Sequence, residues 1–193
     1  MSEFRTGRSS DPFAELLAQT NKHRAEHECW AFPFGDGPGL TRLVTSLQAR
    51  RILELGTAIG YTACCLAAAS DSVRVDTIEQ DPLHVALARE SVARFGFAGR
   101  IQVVQSSFDA ALRRLAPEYD LIFFDGYEPE LAELETIARL LLPGGALVTA
   151  NMNLGSANSA LHGFLDDPTR WRDGPTLSAP GTRVSISTRK DNS

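Results

Sequence analysis

Residues 52–61 read Ile-Leu-Glu-Leu-Gly-Thr-Ala-Ile-Gly-Tyr. Three apolar residues, Ile52, Leu53 and Leu55, surround one acid, Glu54, and glycines follow at positions 56 and 60. The stretch from Thr62 to Ala69 has the composition of a buried helix. Strand, glycine turn and helix in that order predict a ligand-binding βα turn, with Gly56 open to a close approach because it lacks a Cβ. The simpler alternative makes Gly56 only a turn residue and Glu54 a solvated strand end. Polar groups at the ends of later strands argue for the first.

Working outward, apolar runs at 73–79, 101–105, 119–125 and 146–150 read as further strands. Helical stretches at 82–95, 109–115 and 129–142 separate them, the last ended by Pro143-Gly144-Gly145. Apolar strands alternating with helices predict a parallel sheet covered on both faces. Upstream, Asp11-Pro12 predicts a helix to about His27, residues 31–39 a loop, and Leu40 to Ala49 a short helix. Downstream, a helix over 156–166 precedes strand-like runs at 171–178 and 183–188. The short Ala179-Pro180-Gly181 connection makes that pair antiparallel, since a parallel pair needs a crossover. The fold expected is α/β, a doubly wound, mostly parallel sheet with an antiparallel C-terminal hairpin. Residues 1–10 read as a disordered tail, 11–49 as a helical cap and 50–193 as the Rossmann-like core of one domain.

The 193 residues suit one domain with a sizeable core. A net charge of −5 argues against nucleic-acid binding, which needs a basic face. No apolar run reaches membrane-spanning length, and the first residues lack the apolar core of a secretion signal. The three cysteines, Cys29, Cys64 and Cys65, show no zinc-ligand spacing and suggest a reducing cytoplasm.

Ligands of doubly wound sheets bind at the carboxyl ends of the strands. Those ends here carry Glu54, then Glu79-Gln80-Asp81, Ser106-Ser107-Phe108 and Asp125-Gly126-Tyr127. Glu79, 23 residues after Gly56, is placed to accept hydrogen bonds from a ribose diol. A nucleoside therefore fits, with adenine near Ser107 and Phe108 and a charged tail near Gly56. A pyrophosphate would be repelled by Glu54, whereas a sulfonium with an ammonium would be attracted. Electrostatics thus favours S-adenosylmethionine over a dinucleotide.

The Glu-x-Gly-x-x-x-Gly run over 54–60, the Glu79 strand end and Leu-Leu-Pro-Gly-Gly-Ala-Leu-Val at 141–148 resemble class I S-adenosylmethionine-dependent methyltransferases. Residues 53–62 and Tyr-Asp-Leu-Ile-Phe-Phe-Asp at 119–125 resemble, more narrowly, the catechol and caffeoyl-CoA type small-molecule O-methyltransferases. The similarity covers roughly residues 35–155. It implies a seven-stranded sheet whose last strand lies inside the edge, a homodimer, and a small-molecule methyl acceptor. It implies a cofactor site of Glu54, Gly56, Thr57, Ala58, Gly60, Tyr61, Thr62, Glu79, Gln80, Ser106, Ser107, Phe108, Asp125 and Tyr127. Within it, Tyr61 and Thr62 would border the cofactor carboxylate, and Asp125 the methyl group.

The pattern breaks at the metal. Metal-dependent members of the resembled family place an Asp after strand four and an Asp-Asn pair after strand five. This chain has Asp125 and Asn151, but Ala150 stands in the remaining position. Where those members carry a lysine three residues past the first Asp, this chain has Glu128. The expectation is O-methylation without essential magnesium. N-methylation, a metal-dependent reaction and a non-catalytic cofactor-binding protein are the alternatives. Asp125, Glu128 and His162 are the catalytic candidates, with Tyr127, His23 and His27 as further general bases. His23 and His27, four apart on one helix, could also ligate a metal if a third ligand were near. Trp30, Phe32 and Phe34 either wall the acceptor pocket or pack the N-terminal helix.

Overall fold

The computed structural model describes residues 11–150 and 159–188. The expected tail over 1–10 and Asn151 lie outside them. The elements are α1 (Ala14–His27), α2 (Gly37–Leu47), β1 (Arg51–Leu55), α3 (Tyr61–Ala67), β2 (Arg74–Glu79), α4 (Pro82–Arg94) and β3 (Ile101–Gln105). They continue through α5 (Phe108–Leu112), β4 (Tyr119–Phe124), α6 (Leu131–Arg139), β5 (Leu141–Thr149), α7 (Ser159–Leu165), β6 (Trp171–Asp173) and β7 (Arg183–Ser187).

The seven strands form one sheet in the order β3-β2-β1-β4-β5-β7-β6. β1 to β5 run parallel, and β7 enters antiparallel between β5 and β6. This is the α/β architecture with an antiparallel hairpin expected above. Alternate residues of each strand feed two cores. Ile52, Val75, Leu121, Phe123 and Val148 face α2, α3 and α4. Leu53, Ile78, Ile122, Phe124 and Leu147 face α5, α6 and α7. Each such side chain, fully buried, contributes about 1.5–3 kcal/mol. Because both faces are covered, the strands read as continuous apolar runs. No helix among the described residues is long and apolar enough to cross a membrane.

Several boundaries differ from the sequence reading, and three have a clear local cause. α2 begins at Gly37 and not at Leu40, because the Asp36 carboxylate accepts from Gly39 N at 2.9 Å and caps it. A Cβ on Gly37 would lie 2.3 Å from the Tyr61 hydroxyl, so glycine there serves the packing of α2 on α3. α6 ends at Arg139, and Leu141 already pairs with Tyr119 in the sheet. Pro143-Gly144-Gly145 therefore forms an irregularity inside β5, where the register shifts between Tyr119 and Leu121. β6 is three residues long and not eight. Gly174 N still reaches Val184 O at 2.8 Å, but Pro175 has no N–H to extend the ladder.

Candidate functional site

The winding reverses between β1 and β4, so the crevice at their carboxyl ends is the switch point where such sheets bind ligands. The strand ends are joined there in steps. Gly56 N donates to Ile78 O at 3.1 Å, Asp125 N to Leu55 O at 3.0 Å and Ala150 N to Phe124 O at 2.9 Å. Gly56 has φ +105°, and a Cβ on it would lie 2.6 Å from the Asp125 carbonyl oxygen. The sequence reading gave the missing Cβ to an approaching ligand. In the structure the Asp125 backbone by itself already requires glycine.

Ala58 adopts φ 46°, left-handed for a residue with a Cβ, and its N–H donates to Glu79 Oε2 at 3.0 Å. Glu79 Oε1 accepts from Gln80 N at 2.9 Å and Asp81 N at 3.0 Å. The Glu79 side chain is 12% exposed, and it holds the glycine loop to the start of α4. Three of the roughly four lone-pair sites of the carboxylate are thus taken, which leaves one on Oε2 to accept a hydroxyl. The exposed Gln80 offers no buried contact.

Glu54 is wholly buried. Thr77, its register partner on β2, donates to Glu54 Oε2 at 2.5 Å and also pairs with the Thr57 hydroxyl at 2.5 Å. The other oxygen, Oε1, is buried with no hydrogen-bond partner among the described residues. Burial pushes the Glu54 carboxyl well above its ordinary range; the Thr77 hydrogen bond opposes this, and the nearby charges of Asp125 and Glu79 add to it. An unpaired buried acceptor costs about 1–3 kcal/mol. A cationic donor entering this crevice would satisfy it. Thr77 was missed from sequence, although its place two residues before Glu79 puts it opposite the β1 acid.

Phe108 and Tyr127 stack across the β3 and β4 ends, centroids 5.6 Å apart at 21°. A Cβ on Gly126 would come within 2.5 Å of the Phe108 ring, so that glycine, also missed from sequence, seats the phenyl ring. Ser107 caps α5, its hydroxyl accepting from Ala110 N at 3.3 Å, while Ser106 donates to Ser107 O at 3.0 Å. The Tyr127 hydroxyl donates to Glu133 at 2.7 Å. Partial burial and that acceptor push its pKa up.

The remaining candidates separate. Asp125 is half-buried at the crevice. Glu128 and, on α7, His162 are exposed. Ala150 is 6% exposed and packs in the core where the metal-dependent pattern has a carboxylate. Thr62 and Gly60 are buried at the start of α3. The Tyr61 ring is buried and its hydroxyl donates to Asp11 at 2.7 Å, fixing the segment before α1. Phe34 is buried edge-on against Phe123, centroids 5.1 Å apart, whereas Trp30 is 90% exposed. Packing thus accounts for Phe34 alone of the aromatic trio. A separate cleft of about 450 Å³, lined by Arg139, Phe164, Arg170 and Trp171, lies at the opposite end of the sheet.

Residues 53–152 match the family model described as a methyltransferase domain. The chain is 34% identical over 145 residues to a catechol O-methyltransferase of Niastella koreensis, covering 71% of this chain and 65% of that protein. It is 36% identical over 122 residues to a catechol O-methyltransferase of Mycobacterium tuberculosis, covering 62% and 56% respectively. The chain thus spans less than two thirds of the length of both relatives. Among solved structures it resembles the O-methyltransferase TomG of Streptomyces achromogenes, solved with S-adenosylmethionine. The TM-score is 0.75 at 25% identity, over 91% of this chain and 90% of that one.

Proposed function

This chain belongs to the methyltransferase-domain family, and on that premise we propose that it moves a methyl group from S-adenosylmethionine to a hydroxyl of a small molecule. The observation that carries the reading is the buried, half-satisfied carboxylate of Glu54 at the switch point, with Glu79 and Asp125 close enough to perturb it. Three acids around one crevice suit a ligand with cationic groups and repel a pyrophosphate. Similarity to proteins named catechol O-methyltransferase supports oxygen as the acceptor atom.

S-adenosylmethionine, when bound, supplies an electrophilic methyl on a sulfonium. The chain's own residues then bind and orient. Glu54 Oε1 receives the ammonium of the cofactor tail. Glu79, already fixed by three backbone N–H donors, accepts from the ribose. Phe108, held by Gly126 and Tyr127, forms the adenine wall. Asp125 faces the acceptor and holds its hydroxyl proton, while Glu128 and His162 stand further out in solvent. Positioning of this kind is worth roughly 7–11 kcal/mol of barrier for well-oriented reactants. The buried Ala150 favours a reaction without magnesium, because a hard cation needs a nearly full oxygen shell.

Calorimetry with S-adenosylmethionine and with its demethylated product tests the cofactor assignment, and binding of neither overturns it. Methyl transfer to a panel of hydroxylated aromatic compounds, run without and with added magnesium, tests the rest. Equal turnover in both is expected. Turnover that arises only on adding magnesium contradicts the metal-free part alone.

A further inference from the structure

We propose that His23, Cys29 and His84 form a binding site for a divalent transition-metal ion of the zinc type, clamping the end of α1 to the start of α4. The three residues come from separate segments: His23 on α1, Cys29 just past its C-terminus, and His84 in the first turn of α4. One potential ligand atom from each lies within 4.8 Å of the others. A zinc ion holds such ligands at about 2.0–2.3 Å, so they must close to roughly 3.5 Å apart. Side-chain torsions supply that contraction.

Three further observations point to a ligand. His23 Nε2 is buried with no hydrogen-bond partner among the described residues. Its ring stands 5.1 Å from that of His84 and 4.5 Å from that of His27, an arrangement that would be repulsive if the imidazoles were charged. Cys29 carries a free, half-buried thiol beside them.

Two imidazoles and a thiolate are borderline-soft donors that suit zinc and reject magnesium. The site is therefore distinct in chemistry from the Asp125 crevice. Three protein ligands leave a fourth tetrahedral position for water. His84 N is anchored by the Asp81 carboxylate at 3.2 Å, and His84 Nδ1 lies 3.9 Å from Glu79 Oε2. A metal here would fasten the N-terminal helix next to the acid assigned to the ribose.

Cobalt(II) titration of the purified full chain, freed of metal, reads the site directly. Cys64 and Cys65 are buried, at 0% and 1% exposure, so a thiolate-to-cobalt absorption band reports Cys29. The expected result is that band together with tetrahedral visible bands, saturating at one equivalent and erased by zinc. Cys29→Ser should abolish the charge-transfer band, and His23→Gln should weaken cobalt binding at least tenfold. Zinc should raise the thermal midpoint of the native chain and leave that of His23→Gln unmoved. Absence of the band in the native chain, or its full persistence in Cys29→Ser, overturns the proposal.

Discussion

The two halves of the crevice are built differently. Under β1 and β2 nearly every polar group is committed: Glu79 gathers three backbone donors, Thr57, Thr77 and Glu54 form a buried relay, and Gly56 is pressed against Asp125. Over β4 and β5, Tyr127 is 57% exposed, Glu128 lies in solvent and Ala150 is an apolar core residue. The first half is a receptor fixed by hydrogen bonds both local and between strand ends. The second is a platform whose side chains can vary without disturbing the sheet. On the proposed assignment, a fixed cofactor seat beside a changeable acceptor seat would let one fold serve many acceptors.

Substitutions can break that contrast. Gly56→Val should do most harm, because the new side chain meets the Asp125 backbone and demands φ +105° of a β-branched residue. Overpacking and left-handed strain together predict a loss on the order of 3 kcal/mol, read by chemical denaturation. A variant as stable as the parent would refute the close contact. Glu79→Ala comes next. It strands the N–H groups of Ala58, Gln80 and Asp81, costing about 1–3 kcal/mol of stability. Calorimetry should also show at least a roughly tenfold weaker affinity for the demethylated cofactor, as loss of a hydrogen bond to a charged group predicts. Full affinity in the variant would remove Glu79 from the ribose site.

Glu54→Gln should act in a direction set by pH. The folded-state pKa of Glu54 lies above its ordinary value of 4.5, so the folded chain holds that proton more tightly than the unfolded chain. Stability from this group is complete below about pH 4.5 and declines as pH rises towards the folded value. At neutral pH the ligand-free Gln variant should therefore melt higher than the parent, with a flatter pH profile, while binding the cofactor more weakly. Parallel profiles would show that Glu54 is not the strained acid. The smallest effect belongs to the platform. Tyr127→Phe loses one exposed hydrogen bond to Glu133 and keeps the stack on Phe108, so stability should stay within about 0.5 kcal/mol. A large loss there would erase the contrast.

Much of the frame was legible because parallel strands announce themselves as apolar runs. β3 begins and ends where the sequence places it, and the antiparallel hairpin follows from its short turn. What eluded the sequence depends on partners far along the chain. Nothing local tells that the Gly56 hydrogen faces Asp125, or that the Tyr61 hydroxyl is spoken for by Asp11, 50 residues away. The α2 start was hidden because Gly37-Pro38-Gly39 has loop composition, yet Asp36 caps it and α3 requires the small residue. The His23–Cys29–His84 cluster escaped for the same reason: His23 and Cys29 lie close in the chain, but His84 arrives on α4, beyond two strands and two further helices.

The position of β7 has a consequence for biosynthesis. Its residues 183–187 insert between β5 and β6, so the flank of β5 stays bare until they emerge from the ribosome. During translation an apolar strand with free amides and carbonyls is thus offered to any neighbouring nascent chain. Productive maturation depends on how quickly the last antiparallel segment seals that seam.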